Sequence, residues 1–154
     1  MQIVLSLDLQ VRKAAKVPFM MPLDVKLTTE PLSGFNPEFS DRDGALVDFF
    51  GVVREIENGQ PIAGIEYQAF VEMAEIELKR IAEIARKDFM LGLVLIHHRI
   101  GFVPVGEPSL FVRVSAPHRD TAFAGCQYII EQLKARAPIW KHPAFRKEGP
   151  HELA

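Results

Sequence analysis

Ser115-Ala-Pro-His-Arg-Asp-Thr-Ala-Phe123 and, further on, Leu133-Lys-Ala-Arg-Ala-Pro-Ile-Trp-Lys141 bracket the stretch around which this chain is organised. Between them Phe123, Cys126, Ile130 and Leu133, with Ala122 and Ile129 alongside, recur at the three-and-four spacing of a helix that buries one face. Pro117 suits the first helical position, because its φ is already helical and its missing N–H would go unpaired there. The spacing therefore predicts a helix whose first turn carries His118 and Arg119, whose far end carries Lys134, and which stops at Pro138 just before Trp140 and Lys141.

The charges on this helix ask for a reason. His118 and Arg119 stand at the positive end of the helix macrodipole, opposite to the stabilising placement, and Asp120 offsets only part of that. One reading is an anion cradle in which free backbone N–H groups, His118 and Arg119 meet a phosphate. The other is a solvated first turn with both side chains in water. The residues alone leave both open.

Length and composition set the frame. A chain of 154 residues has room for one domain with a real core and not for two large ones. Its 48% hydrophobic and 25% charged residues are those of an ordinary soluble globular protein. A formal net charge of -2 gives nucleic-acid binding no support, so any anion site must be a local gathering of cations. The single cysteine, Cys126, excludes an internal disulfide and any paired-cysteine redox or zinc motif, and its place on the apolar helix face predicts a buried thiol. No run reaches the roughly 18 apolar residues of a membrane span. The first residues lack the basic start of a signal peptide, so a reducing cytoplasm is the expected setting.

Outward from the helix, the rest of the chain reads as follows. Residues 1–21 form an extension that the pattern does not place, and residues 22–154 one domain with a tail from about residue 142. Leu23 to Thr29 alternates as a strand, and a turn-rich loop runs to Gly44. Ala45 to Arg54 is a nearly continuous apolar run, as in a strand covered on both faces. Asn58-Gly59 accepts positive φ and predicts a hairpin into Ile62–Phe70. Ala74, Leu78, Ile81, Ala85 and Phe89 mark an amphipathic helix. Leu91–Ile100 and Ser109–Ser115 predict two further strands joined by a loop. His97 and His98 are adjacent, and neighbouring side chains on a strand point to opposite faces, so they are not a metal pair; no metal site is expected. This order predicts an α+β fold with helices packed on a mixed or antiparallel sheet.

At these same residues the chain resembles the large, catalytic subunit family of molybdopterin synthases. The likeness rests on Asp43-Gly44-Ala45, Phe50-Gly51-Val52-Val53-Arg54, Tyr67, Met73-Ala74-Glu75, His98-Arg99-Ile-Gly101, Val105-Gly106-Glu107, Ser115 through Phe123, and Leu133-Lys134 through Trp140-Lys141. The resemblance implies an α/β hammerhead-type fold and a homodimer within a heterotetramer. It also implies a small ubiquitin-like sulfur-carrier subunit whose C-terminal thiocarboxylate donates sulfur to cyclic pyranopterin monophosphate, giving the dithiolene of molybdopterin with no bound cofactor. Lys134 and Lys141 match the two lysines of the reacting centre, where an ammonium stabilises or protonates developing negative charge. Arg54, His118 and Arg119 match positions that bind the substrate phosphate. Val52 and Val53 beside Arg54, and His142 and Pro143 after Lys141, complete the implied substrate-binding set. His142-Pro143 stands where the family has a basic residue and a glutamate, which keeps a non-catalytic partner-binding module of the same fold as the alternative. A phosphate-ester enzyme would rest on the cations alone.

Overall fold

The computed structural model describes residues 22–146. They run β1 (Leu23–Thr28), β2 (Ala45–Val52), β3 (Ile56–Glu57), β4 (Gln60–Ala69), α1 (Val71–Asp88), β5 (Leu93–Arg99), β6 (Gly101–Pro104), β7 (Pro108–Ala116), α2 (Arg119–Arg136) and β8 (Ile139–Phe145). This is the expected α+β fold, arranged as two sheets.

The larger sheet has the order β1-β5-β7-β2. β1 lies parallel to β5, whereas β7 is antiparallel to both β5 and β2. Period-two alternation gives the sheet one apolar face, on which Val94, Ile96, Val112 and Val114 meet Leu78 and Ile81 of α1 and Ile129 of α2 in the main core. The other face is covered by the loop between β1 and β2. Phe35 stacks on Phe111 with ring centroids 3.7 Å apart. Arg113, 4% exposed, forks onto both carboxylate oxygens of Asp48 at 2.6 and 2.7 Å and donates to the carbonyls of Phe35 and Asn36. The loop closes at Gly44, where a Cβ would lie 2.5 Å from the carbonyl oxygen of Pro117.

The smaller sheet is built on β4, which pairs antiparallel with β3, β6 and β8. Val53, Ile62, Ile65 and Val103 form its small core. The two sheets are tied where the chain passes between them: Phe70 N–H donates to the carbonyl of Pro138, joining the start of α1 to the link between α2 and β8.

Four expectations are corrected. Ala45–Val52 is not covered on both faces; β2 is an edge of its sheet, and Phe50 and Val52 are exposed. The loop after Ile100 contains β6, which β4 recruits through backbone pairing that no side-chain pattern announces. Ile139 to Phe145 is a strand, so the tail expected from about residue 142 is part of the smaller sheet as far as Phe145. Pro143 is accommodated opposite Ile65. α2 begins at Arg119, with His118 as its extended N-cap residue, so Pro117 stands two residues before the first helical position rather than at it. The extension at residues 1–21 lies outside the described residues. No helix among the described residues is long and apolar enough to cross a membrane.

Candidate active site

Where the two sheets meet α2 and β8, a cleft of about 700 Å³ opens between the main core and the smaller one. Three cations line it, each from a different element. Arg54 follows β2 directly. Its neighbour Val53 is 3% exposed and is held on both backbone groups: its N–H donates to the carbonyl of Glu107 at 3.0 Å, and its carbonyl accepts from Gly106 N–H at 2.8 Å. The Glu107 side chain is gripped by the buried Arg99 at 2.5 Å. The shared His98-Arg99 and Val105-Gly106-Glu107 segments thus form a brace behind Arg54. Lys134 stands on the last turn of α2, beside Leu133, which is buried in the main core. Lys141 stands on β8, opposite Tyr67 of β4.

Of the expected site residues, Val52, Val53, Arg54, Lys134 and Lys141 line this cleft together. His118 and Arg119 do not. They lie at the opposite end of α2, about 22 Å from Lys134 along the helix axis at 1.5 Å per residue. Arg119 is 85% exposed and pairs with Asp120 at 3.8 Å. Within one chain the first turn of α2 is the solvated one. His142 and Pro143 are strand residues, opposite Glu66 and Ile65, and are not among the residues lining the cleft.

The sequence reading missed four polar residues here. Glu57, 12% exposed at its side chain, accepts a hydrogen bond from Lys141 Nζ at 2.5 Å and lies 3.7 Å from Arg54 Nη2. The Lys141 bond, and then its charge, hold the Glu57 carboxyl below the usual carboxylate range, with Arg54 adding to the effect. The crowding of Lys141 by like charge alone is thereby offset. Asn58-Gly59 was legible as a turn, and the turn is there, with φ of 51° and 75°; its side-chain partner 84 residues away had no local signal. Deeper in the cleft are His98, Tyr67 and Ser109. Ser109 Oγ–H donates to Tyr67 Oη at 3.1 Å, and the Tyr67 ring meets the His98 ring edge-on. His98 Nδ1 lies 2.8 Å from the carbonyl oxygen of Arg99, which can only accept, so Nδ1 carries the proton. Burial pushes this imidazole below its ordinary value, which leaves Nε2 as an acceptor. His97 points to the other face, where its Nε2 lies 2.6 Å from Asp24.

A second cavity, of about 600 Å³, lies on the far side of the larger sheet under the loop between β1 and β2. Its buried polar groups are already paired: Arg113 as described, and Ser115 to Asp43 at 2.5 Å. Cys126 is buried, and burial pushes its thiol up to about 11. No group of three His, Cys, Asp or Glu suited to a metal ion occurs among the described residues.

Fold and cleft define an α+β protein with a groove lined by three cations and one carboxylate. A family model described as MoaE protein matches residues 22–136, and the chain belongs to that family. It is 40% identical over 122 residues to the molybdopterin synthase catalytic subunit of Synechococcus elongatus, a match that covers 77% of this chain and 73% of that protein. Molybdopterin synthase from Staphylococcus aureus superposes with a TM-score of 0.71 at 30% identity, covering 80% of this chain and 91% of that one. The complex of subunits 1 and 2 of molybdopterin-converting factor from Helicobacter pylori shares the fold, with a TM-score of 0.61 at 22% identity over 84% of this chain and 99% of that one.

Proposed function

We propose that this MoaE-family chain is the catalytic subunit of a molybdopterin synthase. In this reading it moves sulfur from the C-terminal thiocarboxylate of a small ubiquitin-like partner onto cyclic pyranopterin monophosphate, in two transfers that give the dithiolene. The observation that carries the reading is the convergence of Arg54, Lys134 and Lys141, from three separate elements, on one cleft. Arg54 receives the substrate phosphate, for which a guanidinium fork is well shaped. Lys134 and Lys141 face the reacting carbon, where attack by a thiocarboxylate and departure of oxygen both develop negative charge that an ammonium stabilises or protonates. The buried, weakly acidic Cys126 is a poor sulfur carrier, so sulfur arrives on the partner. The fold is also that of the Helicobacter pylori complex of subunits 1 and 2, consistent with a small-subunit partner. His118 and Arg119 complete the phosphate site from a second copy of the chain, since within one chain they sit at the far end of α2.

The test is turnover of cyclic pyranopterin monophosphate with the thiocarboxylated partner, alongside partner binding by calorimetry. Wild-type protein makes dithiolene, and Lys134→Ala loses at least about 100-fold in rate with partner affinity unchanged. Partner binding with no product from the wild-type chain would instead establish the non-catalytic module.

A further inference from the structure

We infer that Glu57 is a positioning residue of the reaction proposed above: its carboxylate holds the Lys141 side chain on the wall of the cleft and keeps Arg54 beside it. The inference rests on that reading of the cleft and adds to it an acidic member.

Three observations lead there. Lys141 is a long side chain on a strand, more than half exposed, and left to itself it samples many rotamers in water. Its hydrogen bond to Glu57 selects one of them. Glu57 in turn is fixed by its own backbone, because the Asn58-Gly59 turn takes positive φ at both central residues and clamps Glu57 opposite Gln60. Finally, the Glu57 side chain is 12% exposed while those of its partners are 56% and 80% exposed, so the carboxylate is the best shielded member of the cluster. A bare surface ion pair contributes little to stability, on the order of 0–1 kcal/mol. The value of this one lies in where it puts the ammonium.

The other ionisable groups lining the cleft are Arg54, Lys134, His98 and Tyr67. None of them supplies negative charge near neutral pH, so Glu57 is the counter-charge of the cleft. Replacing it with glutamine keeps the shape and removes that charge. The Lys141 side chain then loses the partner that selects its rotamer and returns to sampling many in water.

The experiment is steady-state turnover of Glu57→Gln against pH, with Glu57→Gln/Lys141→Ala and Lys141→Ala as partners in a double-mutant cycle. Circular dichroism and thermal melting establish that each variant is folded. In Glu57→Gln, kcat falls about tenfold at every pH, while KM stays level or falls because Arg54 is freed for the phosphate. In the Lys141→Ala background the Glu57 substitution has no further effect. If Glu57→Gln keeps the wild-type kcat, or if its effect is as large without Lys141 as with it, the inference is overturned. A wild-type chain that binds its partner and makes no product refutes the proposed function instead, so the two failures are told apart.

Discussion

Glu57 and His98 occupy one cleft and are both held below their ordinary values, for different reasons. Two cations stabilise the charged form of Glu57, while burial favours the uncharged form of His98. Each tuning has a consequence for pH. Because the folded chain holds His98 below its ordinary value of 6.5, the unfolded chain takes up the proton first as pH falls. Stability is therefore full above about 6.5, declines below it, and levels off once the folded imidazole also protonates. Thermal melts at pH 7.5 and 5.5 should show this loss in the wild type and a smaller one in His98→Gln. An unchanged difference between the two pH values would remove His98 from the account. Neither residue stood out in the sequence for these roles. Glu57 was visible only as the residue before a turn, and His98 as one of two adjacent histidines and a member of the family likeness with no role attached, because what tunes each of them lies outside its own segment.

The elements differ in how openly their residues declare them. α1 was plain, since Ala74, Leu78, Ile81 and Ala85 are all buried at helical spacing. So was the hairpin at Asn58-Gly59, where the backbone conformation selects the residues. β6 and β8 were not legible, being short or proline-bearing segments that become strands only because β4 offers them its edges. β4 is thus the element on which the cleft depends, since it carries Tyr67 and aligns Lys141. Its Gly64 marks the closest approach in the smaller sheet: a Cβ there would lie 2.5 Å from both the Val103 carbonyl oxygen and the Phe102 ring. The ring can turn aside, but the paired carbonyl cannot. Gly64→Ala should accordingly cost about 1–3 kcal/mol in urea unfolding and lower turnover through displaced β8. Wild-type stability in that variant would show that the smaller sheet yields more easily than its packing suggests.

At the scale of the molecule, the distribution of cations is the finding with most consequence. Arg54, Lys134 and Lys141 share a cleft, while His118 and Arg119 are stranded about 22 Å along α2. In the proposed two-fold pairing of chains, one copy's His118 and Arg119 serve the other copy's cleft, twice over by symmetry. Complementation tests this arrangement. Lys134→Ala and Arg119→Ala, each inactive alone, should regain about a quarter of wild-type activity when mixed and allowed to exchange, because a mixed dimer holds one intact site of two. No recovery, with exchange demonstrated by native mass spectrometry, would return His118 and Arg119 to the role of solvated helix-end residues.

Periodicity, turn chemistry and composition were enough to establish the α+β class, both helices, the buried thiol and the cations to watch, because these are properties of neighbours along the chain. Tertiary structure alone decided which cations meet, which carboxylate stands beneath them, and which strands β4 would recruit. Charge pairing and backbone pairing act through space, and Glu57 and Lys141 stand 84 positions apart in a chain whose local pattern carries no trace of the contact.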